Sequence, residues 1–202
     1  MRRGFKAAAD RHASDLRDAI GCTEGETIDL ARVARHLKVA VIAADKVLGS
    51  LDPLRTLHQE QPGAFSATTL ALPGRTVVAY NPIDLGGSYI NPAEAKSDGR
   101  TRSNIAHEFS HLVLGHQVRE VQKIADQSFF TCNAEQEAEA NWLAGCMLLP
   151  RRLLLAAAYN GETDDDIAST YHVTKQMTAF RMNTSGSRMQ AARTQARRSR
   201  GS

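Results

Sequence analysis

The chain has 202 residues, 42% of them apolar and 23% charged, the composition of a globular protein with one sizeable core. Its 25 Lys and Arg exceed 22 Asp and Glu by three, yet Arg188, Arg193, Arg197, Arg198 and Arg200 all lie in the acid-free stretch 186–202, leaving residues 1–185 at 20 bases against 22 acids. That balance excludes a body whose whole surface is a nucleic-acid footprint. No apolar run nears the ~20 residues of a membrane span, and no apolar signal region follows Met1-Arg2-Arg3. Cys22, Cys132 and Cys146 are too few and too far apart for a disulfide framework. The expected setting is the reducing cytoplasm, away from membranes.

Phe5, Ala8, Ala9, His12, Leu16 and Ala19 recur at helical spacing before Gly21, which predicts an amphipathic helix over 5–20. A loop over 21–27 leads to a short helix carrying Ile28, Val33, Ala34 and Leu37. The β-branched run Val39–Ala43 follows as a strand. Ser66–Leu72 and Thr76–Tyr80 flank Pro73-Gly74, which favours a type II turn and hence a hairpin. The stretch 81–100, rich in Gly, Pro and Asn, reads as a long irregular connection.

A helix capped by Thr101 or Ser103 is expected to run to Leu114, with Gly115 as its stop. Asn133 and Gln136 form a capping-box pattern for a helix ended by Pro150. Its buried stripe would be Ala140, Leu143, Ala144 and Met147. Beyond it come Leu153–Tyr159, the acidic cap 163–166, and a helix–turn–helix-like pair over 167–183. The region from Gly186 shows no apolar periodicity and reads as a basic disordered tail.

His107-Glu108-Phe109-Ser110-His111 is an H-E-x-x-H motif. Residues four apart on a helix point about 40° apart, so both imidazoles can reach one metal, while Ile105, Phe109 and Leu112 lie about 140–200° away and can anchor the helix in the core. Glu108 is not needed as a ligand and is the carboxylate placed to take a proton from water. A third ligand must come from elsewhere. Gly115 and His116 are each one residue out of register for the extended metzincin motif, and His116 suits a structural or supporting contact. The helix from Asn133 offers Glu135, Glu137 and Glu139. Glu137 projects about 160° from the other two and has Asn141 one turn later, able to orient a ligating histidine. Glu137 is favoured, with Glu139 as the alternative, and Glu135 is assigned to solvent. Cys132 reads as a packed thiol. Two His and one Glu favour Zn²⁺ over Mn²⁺.

The segments Thr76–Pro82, Arg102–His116, Glu137–Ala144 with Leu148-Leu149-Pro150, and Tyr171–Met177 with Arg181-Met182-Asn183 together resemble the ImmA/IrrE family of metallopeptidases, a gluzincin-like group. The resemblance spans about residues 25–186. It implies zinc held by His107, His111 and Glu137, with Glu108 as general base. It also implies an α+β, zincin-like domain with a small, mostly antiparallel sheet, an HExxH helix and a glutamate helix, followed by a small helical segment. The sheet's edge strand would hold a peptide by β-augmentation.

The expected organisation is an N-terminal helix over 1–24, the metallopeptidase domain over 25–160, a helical pair over 161–185 packed on it, and the tail over 186–202. The expected activity is that of a zinc endopeptidase cleaving a partner protein, with a helix–turn–helix repressor as the substrate the resemblance implies. Tyr80, Tyr89, His116 and Tyr171 are candidates to stabilise an oxyanion. The rival reading is a zinc-containing regulator that disables a repressor by binding alone. The acidic cap at 164–166 argues against sequence-specific DNA binding by the helical pair; weak nonspecific nucleic-acid contact would fall to the tail.

Overall fold

A computed structural model describes residues 1–23, 25–116, 120–124, 127–131 and 133–200. The first helix, α1 (Phe5–Ala19), buries Phe5, Ala9, Ala13 and Leu16 on one face, at the spacing the sequence dictates. That face lies on α6 (Ala134–Leu148). Arg17 is also buried: its guanidinium donates to the carbonyls of Met147, Thr23 and Glu26, tying α1 to the end of α6 and to the following loop.

After α2 (Leu30–His36) comes β1 (Val39–Ala43), then two helices absent from the sequence reading, α3 (Ala44–Leu48) and α4 (Asp52–Glu60). They carry the chain across to β2 (Ala67–Leu72) and β3 (Arg75–Tyr80). Pro73-Gly74 turns this hairpin, with Gly74 at φ 75°. The strand order is β1-β3-β2: β1 runs parallel to β3 from Val39↔Thr76 to Ala43↔Tyr80, and β2 pairs antiparallel from Ala67↔Tyr80 to Leu72↔Arg75. β3 is the central strand, with Val77, Val78, Ala79 and Tyr80 buried, and β2 is an edge. A separate antiparallel pair, β4 (Glu120–Ile124) and β5 (Gln127–Thr131), lies between α5 (Gly99–Val113) and α6.

α5 begins earlier than expected. Asp98, rather than Thr101 or Ser103, is the cap, accepting from the Thr101 amide at 2.7 Å. Asn133 and Gln136 form the expected capping box of α6. That helix differs from the one-sided stripe read from its sequence: Glu139, Ala140 and every residue from Trp142 to Leu148 are buried, because α1, α5 and α9 (Lys175–Ser185) close on it from several sides. A helix apolar all round is one surrounded by protein.

The C-terminal part comprises α7 (Arg151–Asn160), α8 (Asp164–Tyr171), α9 and α10 (Ser187–Arg200). Ile167, Ala168, Val173 and Met182 are buried in the main core. Arg181, 1% exposed, donates to the Leu149 carbonyl at 3.2 Å. The stretch expected to be a disordered tail is instead the helix α10, packed on α7 and α9. Its contact uses small and polar groups, which carry no hydrophobic periodicity. Ser187 and Ala191 are buried, Gln190 accepts from Arg151, and Thr194 accepts from Tyr159. Cys22 and Cys146 are buried free thiols; Cys132 lies outside the described residues. Among the described residues no helix is long and apolar enough to cross a membrane.

Candidate metal centre

Ile105 and Phe109 are buried in the core, which turns the opposite face of α5, carrying His107 and His111, towards α6. The two Nε2 atoms lie 2.9 Å apart. Glu137 reaches them from α6, with Oε2 3.1 Å from His107 Nε2 and Oε1 3.5 Å from His111 Nε2. These three side chains are the His, Cys, Asp and Glu group whose ligand atoms converge among the described residues. A tetrahedral ion with bonds of 2.0–2.1 Å needs neighbouring ligand atoms about 3.3 Å apart, and the three separations bracket that length. The donor set, two imidazoles and a carboxylate, therefore fits a divalent metal.

The other ring nitrogens fix the tautomers. His107 Nδ1 donates to Asn141 Oδ1 at 3.0 Å, which leaves the Nε2 lone pair towards the converging atoms. On the far side His111 Nδ1 is 3.0 Å from His116 Nδ1. Glu108 sits beside this group and accepts from the Thr69 hydroxyl of β2 at 2.8 Å.

Burial raises the Glu108 pKa, and the Thr69 hydroxyl holds it back. Burial and the neighbouring His107 push His111 down to about 4. For His107, burial works downward, but its hydrogen bond and charge contact with Glu137 prevail and the net direction is up. The same hydrogen bond draws Glu137 below the ordinary carboxylate range. Without an ion, a proton shared with Glu137 thus belongs on His107.

Glu139 does not face the histidine pair. Its carboxylate, 2% exposed, is held by Arg2, whose backbone N–H and Nε donate to Oε1 at 3.1 and 3.0 Å and whose Nη2 donates to Oε2 at 2.9 Å. This drives its pKa down to about 2. Glu135 is exposed. Of the oxyanion candidates, Tyr80 is buried in the core and His116 stands behind His111, while Tyr89 is exposed and Tyr171 half-buried. Thr69 and Arg2 were not visible as site residues in the sequence, since they lie 39 residues before Glu108 and 137 before Glu139.

A family model described as the IrrE N-terminal-like domain, Peptidase_M78, matches residues 86–183. Over these residues, just under half of the chain, the protein is similar to that metallopeptidase family. The matched region contains α5, β4, β5, α6–α8 and most of α9, and hence the whole His107–His111–Glu137 group, while the three-stranded sheet, Thr69 and Arg2 lie before it. That similarity implies a metal, which the convergence of two imidazoles and a carboxylate independently suits. No curated protein and no solved structure shows significant similarity to the chain.

Proposed function

We propose that this chain is a zinc-dependent endopeptidase of the Peptidase_M78 kind that cleaves a partner protein, with His107, His111 and Glu137 as metal ligands, Glu108 as general base and Asn141 orienting His107. The observation that carries the reading is the meeting of two histidine Nε2 atoms and one carboxylate beside a second carboxylate left unligated. A zinc ion held there supplies Lewis-acid polarisation of a peptide carbonyl and acidifies water.

Glu108 takes a proton from the attacking water and returns it to the departing amine nitrogen as the C–N bond breaks. Thr69 orients the carboxylate for that exchange. Because Thr69 lies on edge strand β2, an extended peptide paired with that edge is presented alongside Glu108. A helix–turn–helix repressor in a cytoplasmic setting is the substrate class that the family resemblance supports. Weak contact with nucleic acid is assigned to α10, whose Arg193 and Arg197 line, with Arg151 of α7, a groove of about 510 Å³.

The test is to incubate the protein with a helix–turn–helix repressor from the same genome, taking first any encoded beside its gene, and follow the products on a gel. Fragments that disappear with chelator and with Glu108→Gln support hydrolysis. An intact repressor that no longer binds its operator supports inactivation by binding alone, and a repressor unaffected in both respects refutes the substrate.

A further inference from the structure

The end of α5 has a feature that the proposed chemistry does not use. Gly115 adopts φ 61°, its amide donates to Leu112 O at 3.2 Å, and the His116 amide donates to His111 O at 3.0 Å. This paired bonding is the Schellman termination, in which the side chain just beyond the glycine packs on the side chain one turn before the helix end. Here those two side chains are His116 and His111, with ring centroids 5.1 Å apart.

The polar contacts then run in one line. His111 Nδ1 faces His116 Nδ1 at 3.0 Å. His116 Nε2 is buried, makes no hydrogen bond among the described residues, and has Glu139 Oε2 3.5 Å away. Glu139 is in turn gripped by three Arg2 donors. A nitrogen facing a buried carboxylate keeps its proton, so His116 carries hydrogen on Nε2 and offers Nδ1 as an acceptor. His111 must then hold its own proton on Nδ1, which directs the Nε2 lone pair to the point shared with His107 and Glu137.

We propose that Arg2, Glu139 and His116 form a positioning line that locks the ring and tautomer of His111, so that the N-terminal segment sets the metal affinity of a site it does not touch. The inference rests on the metal reading above and assigns work to a glutamate and an arginine outside the ligand set. Such outer partners of a ligating histidine typically govern affinity by about 10–100-fold.

Zn²⁺ affinity, measured by competition with a chromophoric chelator, and the visible absorption of the Co²⁺-loaded protein test it on the full chain. His116→Leu is expected to weaken Zn²⁺ binding about 10–100-fold and to alter the Co²⁺ bands. His116→Asn, whose Oδ1 can accept from His111 Nδ1, is expected to recover most of the affinity. Glu139→Gln and Arg2→Ala shift affinity in the same direction by smaller factors. His116→Leu with wild-type affinity and spectrum overturns the proposal. So does His116→Asn no tighter than His116→Leu when the metal-free proteins melt alike. Should His116→Leu fail to fold, His116→Asn and Arg2→Ala decide: wild-type affinity in Arg2→Ala refutes the line's outer end, and a loss restored by neither Lys nor Gln at position 2 supports the bidentate grip. A wild-type protein that binds neither ion refutes the metal reading itself.

Discussion

Gly99→Ala sets two effects of opposite sign against each other. Gly99 is the first residue of α5, and alanine is the better helix former by up to about 1 kcal/mol. The added Cβ, however, would stand 2.7 Å from the carbonyl carbon of Val173 and 3.0 Å from both Thr174 N and Val173 O. All three are backbone atoms of the turn joining α8 to α9, so no side chain can swing aside. Restoring ordinary contact requires the turn to retreat by roughly 0.7 Å, and overpacking of this kind costs about 1–3 kcal/mol. The retreat would also stretch the 3.0 Å bond from Arg102 to the His172 carbonyl. The net expectation is a destabilisation of about 1–2 kcal/mol, equivalent to a melting temperature lower by about 2–8 °C for a chain of this length. Urea unfolding followed by circular dichroism measures it. A Gly99→Ala protein as stable as the wild type, or more so, would show that propensity outweighs the backbone contact and that α5 is not seated on the α8–α9 turn as described.

Arg102→Met should cost about 2–4 kcal/mol in the same unfolding assay, because the buried guanidinium donates to the carbonyls of Ile28, Lys96 and His172 and its removal leaves them without those donors. Thr69→Val removes the donor that lowers the Glu108 pKa. The acidic limb of the kcat/KM profile should therefore move to higher pH, since the proposed base Glu108 would have to be ionised to act; an unmoved limb refutes the role of Thr69. The Arg2 hydrogen bonds hold the Glu139 pKa down to about 2, below the ordinary carboxylate value of 4.5. The Arg2 contact should thus stabilise fully above about pH 4.5 and fade as pH falls through about 2. In acid titrations the stability gap between wild type and Arg2→Ala should close over that interval, and a constant gap counts against the ion pair.

What could be read in the sequence was what is local along the chain. His107, Glu108 and His111 share one helical turn, and Asn133 with Gln136 announces the start of α6, so helical geometry alone turns Glu137 and Glu139 to opposite sides. Strand β1 and the hairpin at Pro73-Gly74 were equally plain, since β-branched runs and a positive-φ turn are decided within a few residues. Thr69 meets Glu108 only because β2 packs against α5, and Arg2 meets Glu139 only because α1 lies along α6; neither has a local signal. Helix α10 escaped notice because it is held by an alanine, a buried serine and arginine hydrogen bonds rather than by an apolar stripe. Helix α4 did offer a sign in Asp52-Pro53, an acidic first turn with proline at an early helical position.

The burial of α6 on nearly every side bears on how this domain can be moved between proteins. Residues 86–183 carry the family pattern, but one wall around their central helix, α1, comes from outside them: Ala9 and Ala13 of α1 are all but inaccessible, and Arg17 caps the Met147 carbonyl. A chain trimmed to the matched residues would present that apolar flank to water and self-associate. The portable unit is therefore larger than the recognisable one, and transplanting the activity into another protein would require carrying α1 and the sheet along with the motif.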